Sequence, residues 1–364
     1  LSAKNHNFHI ICNITAENNK PNIIIHRVRP RLDELNHLPT KPQHNIQYII
    51  DTIVTGLKII DKYDINLIHS NSYIPILAGS ILSKLKHIPL IVTVHDIFTN
   101  NEAGGWQKWI EANNLPRYYS LMGKLMERTC LSMPNDLFHT VSKATSIDLL
   151  RLKPNSKIKI VYPSIDSNNY TSSGEIVYEN FILYIGRLVY YKGVDVLIKS
   201  FSEVLKEIGN AKLIIVGEGP MKQEWQNLAT ELHLDDSVSF LGRISNSAKL
   251  DLLSRCSALA LPSLFEGFGL VVLEAFALKK TVLVSDIPPF DEIVEDGQDG
   301  FLITPTDLIM WKERIKKLLS NSNLCKQMGE KAFLKYHDKF SYPKFIDSME
   351  NCYIETLNEF KKRH

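Results

Sequence analysis

The sequence is poor in cysteine and has none in a pairing pattern. Its five cysteines, Cys12, Cys130, Cys256, Cys325 and Cys352, stand far apart, without Cys-x-x-Cys and without Cys/His ligand spacing. That excludes a disulfide-stapled scaffold and a structural zinc site, and it fits a reducing compartment in which free cysteines serve as packing residues. No apolar run approaches the ~18 residues that a membrane-spanning helix needs, and no charged-then-apolar opening reads as a signal peptide. The cytoplasm is therefore the expected location. No dense run of one charge sign appears either, so an acidic or basic tail is excluded, and nothing points to nucleic acid.

What is present is a chain of 364 residues, 44% hydrophobic and 23% charged. That composition is globular, and the length exceeds what one hydrophobic core usually supports, so two domains are expected. The net charge of +2 hides an asymmetry. Residues 1–165 hold 19 Lys and Arg against 12 Asp and Glu, a surplus of seven, and the remainder carries −5. An acidic partner, an anionic membrane surface and a merely solvated face all fit a basic first half.

Short β-branched runs alternate with stretches of helical period along the whole chain, the pattern of βα units on parallel sheets. Strands are expected at Phe8–Asn13, Asn66–Ser70, Leu90–His95, Asp136–Val141 and Lys157–Tyr162. In the second half they are expected at Phe181–Ile185, Lys212–Val216, Val238–Leu241, Ala258–Leu261, Thr281–Ser285 and Phe301–Thr304. Ile46–Asp61 reads as an amphipathic helix, and Val194, Leu197, Ile198, Phe201, Leu205 and Ile208 form one buried helical stripe. The polar stretch Tyr162–Asn169, punctuated by Pro163, reads as a linker beside a cleft. The expected division is 1–163, 164–340, and a C-terminal helix over 341–364 that packs back on the first domain. Leu1 is not methionine and Leu1–Asn7 reads as the end of a helix entering a strand, so a first strand, its turn and most of a helix are expected to be missing from the chain.

Four segments carry chemistry. Leu261–Ala275 follows a strand, holds Glu266 and Glu274 eight positions apart, and places Gly267 and Gly269 before an apolar helix. The first amides of that helix, around Leu270 and Val271, point at the carboxyl edge of the sheet, where a helix end attracts phosphate. The loop from Gly186 to Gly193 brings Arg187 and Lys192 to the same edge, a pair of cations suited to a diphosphate. Further strands end in Val216-Gly217-Glu218-Gly219 and in Leu241-Gly242-Arg243. In the first half, His95 ends the strand Val92–His95, with Asp96 next to it. His69, Ser142 and Lys143 stand at other strand ends and are candidates for the cleft wall. Between His95 and Leu121 lies Asn100–Ile110, rich in glycine and tryptophan. Internal packing of Trp106 and Trp109 is the first expectation, with a mobile lid or an interfacial anchor as alternatives.

Taken together and in this order, these segments resemble the retaining glycosyltransferases of family 4, which have the GT-B fold: α/β, two Rossmann-like doubly wound parallel-sheet domains facing each other across a cleft. The resemblance covers essentially the whole chain. It implies that Gly186, Arg187 and Lys192 bind the diphosphate of a nucleotide-sugar donor and that Glu266 contacts the sugar hydroxyls while Glu274 contacts the ribose. It also implies that amides of Gly267, Phe268, Gly269, Leu270 and Val271 complete the cradle. Gly217 and Gly219 would lie near the nucleotide, Arg243 and Ile244 near the base, and His95 would face the donor sugar. Pro163-Ser164-Ile165-Asp166 is a shortened form of the family's linker, and the glycine-rich loop that follows the family's first strand is absent. The resemblance implies transfer to an acceptor hydroxyl with retention of configuration and without a protein nucleophile. No Asp-x-Asp occurs, so no metal or other cofactor is expected, and charge on the leaving group falls to cations and amides. A lipid-linked or membrane-surface acceptor is one expectation for the basic first half. The alternatives are a nucleotide-sugar epimerase of the same fold, a hinged two-domain sugar-binding protein without catalysis, and an inactive scaffold.

Overall fold

A computed structural model describes residues 6–14, 21–29, 42–99, 105–112, 115–166, 170 and 177–363. The start of the predicted Leu1–Asn7 helix end, residues 100–104 of the Asn100–Ile110 segment and residues 167–169 of the expected linker lie outside the described residues.

The first half opens with β1 (Phe8–Cys12) and β2 (Ile23–Arg27), a parallel pair with Phe8 opposite Ile23. The sequence reading missed β2. After α1 (Pro42–Lys62) come β3 (Ile68–Asn71), α2 (Tyr73–Lys86), β4 (Leu90–Val94), α3 (Trp106–Ala112) and α4 (Tyr118–Ser132). They are followed by β5 (Leu137–Thr140), α5 (Lys143–Leu152) and β6 (Ile158–Ile160). Strands β3 to β6 form a parallel sheet in sequence order. Every residue of β4 and β5 is buried, as expected of parallel strands covered on both faces. Ile76, Leu90, Val92, Leu131, Phe138 and Leu149 make the core between this sheet and its helices.

The second half is more regular because its strands are longer runs of β-branched and apolar residues. In chain order it contains β7 (Phe181–Ile185), α6 (Val194–Leu205), β8 (Lys212–Val216), α7 (Lys222–Glu231), β9 (Val238–Gly242) and α8 (Asn246–Arg255). These lead into β10 (Ala258–Leu261), α9 (Leu270–Ala277), β11 (Val282–Ser285), α10 (Phe290–Ile293) and β12 (Gly300–Ile303). All its strands are parallel, in the spatial order β12-β11-β10-β7-β8-β9. This is a doubly wound sheet whose direction of winding reverses between β7 and β10. Ligands of such sheets bind outside the strand ends at that reversal.

The chain then turns helical, with α11 (Leu308–Leu319), α12 (Ser322–Lys335), a π-helical turn at Tyr336–Phe340, and α13 (Tyr342–Arg363). Helix α13 lies on the first half. Cys352 is fully buried against Ile91 and Leu137, Lys159 pairs with Glu355 at 2.5 Å, and Lys157 pairs with Glu359. The cysteines are all free, and four of them are buried, Cys12 being half-buried.

Candidate functional site

The reversal of the second sheet brings two loops together. Gly193, which closes the loop after β7, sits so near the loop after β10 that a Cβ there would lie 2.2 Å from the Pro262 carbonyl oxygen. The Leu264 amide donates to the Tyr191 carbonyl at 2.7 Å, which stitches the two loops. On the other side of β7, Gly217 holds φ +143°, and a Cβ would lie 1.8 Å from the Gly186 oxygen, so no side chain fits there. Gly219 is packed in the same way against the Leu188 carbonyl. These predicted glycines are thus required by the close packing of one loop backbone on the next.

The loop after β7 carries the two predicted cations. Arg187 donates from Nη2 to the Tyr191 hydroxyl at 2.7 Å, and its own carbonyl accepts from the buried Tyr184 hydroxyl at 3.1 Å, which fixes the loop. Lys192 is ion-paired with Glu266, each side chain only 12% exposed. Ser263 donates to the same Glu266 oxygen at 3.1 Å. Glu266 is therefore held in the turn before α9, beside the first amides of Leu270 and Val271, which no side chain caps at Gly269. Glu274, one turn into α9, has different partners: the Lys249 ammonium at 2.7 Å and the Tyr170 hydroxyl at 2.8 Å. The two predicted acids do not share a partner. Arg243 is exposed and Ile244 half-buried beyond the end of β9.

The first half closes over this site. A Cβ on Gly267 would lie 2.6 Å from the His95 carbonyl oxygen and 3.5 Å from the Asp96 Cβ, so the loop after β4 touches the turn that carries Glu266. Phe98 and Phe265 stack edge to face at 5.4 Å across the same junction, and Phe268 packs on Tyr162 and Phe340. The His95 ring donates from Nε2 to Asn71 Oδ1 at 2.6 Å, and burial keeps its pKa below the ordinary imidazole value.

Asp96 is a site residue the sequence reading did not single out, although it quoted the residue beside His95. Burial and the nearby Glu127 push its carboxyl up to about 6, while Arg187 and Lys192 across the crevice act in the opposite sense and Glu266 adds to the rise. Both predicted cations therefore lie within electrostatic reach of the first half. Glu127 of α4 is itself fully buried. It accepts from the amides of Phe98 at 2.8 Å and Thr99 at 2.6 Å and from the Trp106 indole at 3.1 Å, and so pins the loop that carries His95 and Asp96. Trp106 packs against Phe98 and Trp109, the internal packing expected of it.

The three cleft-wall candidates divide. Ser142 is fully buried as the N-cap of α5, its oxygen accepting the Thr145 amide at 3.0 Å, which leaves it a helix-capping role. The Lys143 side chain is exposed, but its amide and that of Ala144 donate, each at 2.8 Å, to the carboxylate of Glu292 from the second half. Tyr162 donates to Glu292 as well, at 3.0 Å. Glu292 is thus an anion already seated at the N-terminus of α5, and nothing in the sequence marked it. His69 is engaged on both ring nitrogens. His139 Nε2 donates to the Val161 carbonyl at 3.0 Å, which makes its Nδ1 an acceptor for the Thr93 hydroxyl at 2.8 Å. Thr93 in turn accepts from His69 Nε2 at 2.6 Å, and His69 Nδ1 accepts from the Tyr353 hydroxyl of α13 at 2.8 Å. Desolvation and the neighbouring rings of His139 and His95 lower the His69 pKa to about 4, so the neutral form required by this chain of bonds is the stable one.

Among the described residues no group of three or more His, Cys, Asp or Glu side chains is placed to hold a metal ion. No helix among them is long and apolar enough to cross a membrane.

Residues 168–335 match the family model for glycosyl transferases group 1, and residues 1–169 match that for glycosyltransferase family 4. A glycosyltransferase of Methanocaldococcus jannaschii, described as uncharacterized, is 31% identical over 355 residues, which covers 96% of this chain and 90% of the relative. N-acetyl-alpha-D-glucosaminyl L-malate synthase of Bacillus anthracis is 25% identical over 376 residues, covering 99% and 92%. Among solved structures, sucrose-phosphate synthase of Thermosynechococcus elongatus superimposes with a TM-score of 0.81 at 18% identity, covering 98% of this chain and 91% of that one. Anabaena HepE in complex with UDP-glucose gives 0.72 at 18% identity, covering 95% and 99%.

Proposed function

The chain belongs to the glycosyltransferases of GT-B fold, of the group 1 and family 4 kind, and from that premise we propose that it moves a hexose from a nucleotide-diphosphate sugar to an acceptor hydroxyl, with retention of anomeric configuration and without a metal. The reading rests on one observation: Arg187 and the Lys192–Glu266 pair lie at the winding reversal of the second sheet, beside the uncapped first turn of α9. Breaking the bond between an anomeric carbon and a diphosphate leaves negative charge on the departing oxygen. Two cations and a helix end fixed in place before the reaction stabilise that charge without reorganisation.

In this reading residues 164–340 hold the donor and residues 1–163 present the acceptor. Glu266 accepts hydrogen bonds from the sugar hydroxyls and orients the anomeric carbon, and Glu274 takes the ribose once Lys249 and Tyr170 give way. Arg243 and Ile244 flank the base, and His95 faces the sugar from the opposite wall. The acceptor hydroxyl attacks from the side on which the diphosphate departs, and the departing phosphate oxygen takes its proton, so the protein supplies no nucleophile. An acceptor that is lipid-linked or held at a membrane surface suits the basic first half, and a cytoplasmic enzyme at the inner membrane face follows from it.

A thermal-shift panel of UDP-, GDP- and ADP-sugars identifies the donor class. Donor turnover in Arg187→Ala, Lys192→Ala and Glu266→Ala is then measured with EDTA present. A loss on the order of 100- to 1,000-fold is expected when one preorganised donor is removed. Near-normal rates in all three variants would sink the assignment.

A further inference from the structure

Helix α4 presents an apolar face that nothing in the described structure covers. Leu121 is 72% exposed, Leu125 64%, Tyr118 60% and Met122 41%, and at 3.6 residues per turn the four stand on one side of the helix. Gly123, Glu127 and Cys130 occupy the opposite, buried side. Arg117, Lys124 and Arg128 run along one flank of the apolar strip, and none of them makes an ion pair among the described residues. The helix has one acid, Glu127, and it is buried and consumed by the Phe98 and Thr99 amides. Beside the strip, Arg117 and Lys124 line a groove of about 360 Å³ between α3 and α4, whose one carboxylate is Glu111.

An apolar strip rimmed by unpaired cations is the arrangement that lies in the boundary of an anionic bilayer, side chains among the acyl chains and cations among the headgroups. We infer that the outer face of α4 seats this protein on an anionic membrane surface, with Leu121 and Leu125 inserted and Arg117, Lys124 and Arg128 on the lipid phosphates. The inner face of the same helix holds the loop of His95 and Asp96 through Glu127, so the crevice would stand directly behind the bilayer contact. The inference deepens the acceptor side of the proposed function and does not depend on the donor chemistry.

The test is co-sedimentation of the full chain with vesicles of phosphatidylcholine alone or of phosphatidylcholine mixed with phosphatidylglycerol, read beside the nucleoside-diphosphate thermal shift of the same samples. Binding is expected to the anionic vesicles only, weakening as salt is raised. Leu121→Ser/Leu125→Ser and Arg117→Glu/Lys124→Glu/Arg128→Glu are each expected to lose at least about tenfold in partitioning while keeping the nucleotide shift, since each cation near the surface is worth about fivefold. Should a double or triple variant fail to fold, the single Leu121→Trp variant substitutes, and its emission is expected to shift to the blue on anionic vesicles. Equal partitioning to neutral and anionic lipid, no partitioning, or variants that bind as the parent does would overturn the inference. So would self-association or capture of a protein partner through this face in the absence of lipid binding. A lost nucleotide shift with vesicle binding retained would count against the donor reading and leave this one standing.

Discussion

Replacing Glu266 by Gln is expected to do two opposite things, and together they probe the heart of the site. The Lys192 ammonium is committed to Glu266, and both are nearly withdrawn from water. An incoming diphosphate must share that ammonium with a carboxylate that also repels it. Two unit charges about 4 Å apart at an effective dielectric near 20 interact by about 4 kcal/mol. The incoming phosphate is partly hydrated and Glu266 keeps its Ser263 bond, so we take a quarter to a half of that as realised. Glu266→Gln should therefore tighten binding of the free nucleoside diphosphate by about 1–2 kcal/mol, roughly 5- to 30-fold. The same change removes a charged acceptor from the sugar hydroxyls, worth about 1.5–3 kcal/mol, so turnover should fall by roughly 10- to 150-fold. Isothermal titration with the diphosphate, beside donor turnover, measures both arms. Lys192→Met should loosen the diphosphate, and adding Glu266→Gln to it should recover only the share that comes from relieving the carboxylate's own repulsion. Weaker nucleotide binding by Glu266→Gln, or a gain as large without Lys192 as with it, would refute the idea that Glu266 competes with the diphosphate for Lys192.

Three further outcomes follow from the geometry. Because the Asp96 carboxyl titrates near 6 in the folded chain instead of 3.8, the native state loses stability as pH rises from about 4 to 6; Asp96→Asn should be more stable than the parent at pH 7, by up to about 3 kcal/mol, and lose that advantage near pH 4, as denaturant unfolding at the two pH values would show. Gly217→Ala forces a side chain onto the Gly186 carbonyl at an unfavourable φ, and a loss of about 2–4 kcal/mol in denaturant unfolding, with loss of the nucleotide shift, is expected; a melting temperature like the parent's would contradict the close approach described for these loops. Glu292→Gln removes the charge and one of the two acceptors that cap α5 and should cost about 1–2 kcal/mol in the same experiment, whereas an unchanged midpoint would mean that the contact between the halves is not maintained in solution.

The second half was legible because its strands are continuous apolar runs and its loops carry their chemistry within a few residues of a strand end. Phe181–Ile185, Lys212–Val216 and Ala258–Leu261 fall where the runs of apolar residues put them, and Lys192, Glu266 and the start of α9 converge because the strands β7 and β10 are neighbours. In the first half, β2 (Ile23–Arg27) is as long as β7, but it pairs with β1 in a two-stranded sheet apart from the recurring βα units, and its three isoleucines alone do not announce a strand. The residues that sequence did not expose are those whose partners are distant along the chain. Glu292 meets Lys143 and Ala144 from nearly 150 positions away, and Tyr353 reaches His69 across 284. No local periodicity records such meetings. Asp96 was visible as a residue but not as a site, because its character comes from Arg187, Lys192 and Glu127, none of them near it in sequence.

The bonds that run from Tyr353 through His69, Thr93 and His139 to the Val161 carbonyl all point the same way, each group giving its hydrogen to the next. Such a relay has a polarity. Placing an extra proton on either imidazole turns its accepting nitrogen into a donor, so the hydroxyl facing it must rotate its own hydrogen away and accept instead, and the row is anchored at one end by strand backbone and at the other by the last helix alone. Acidification should therefore be felt first as a loosened grip on the chain's final helix, and its detachment would report on the interior of the sheet it covers.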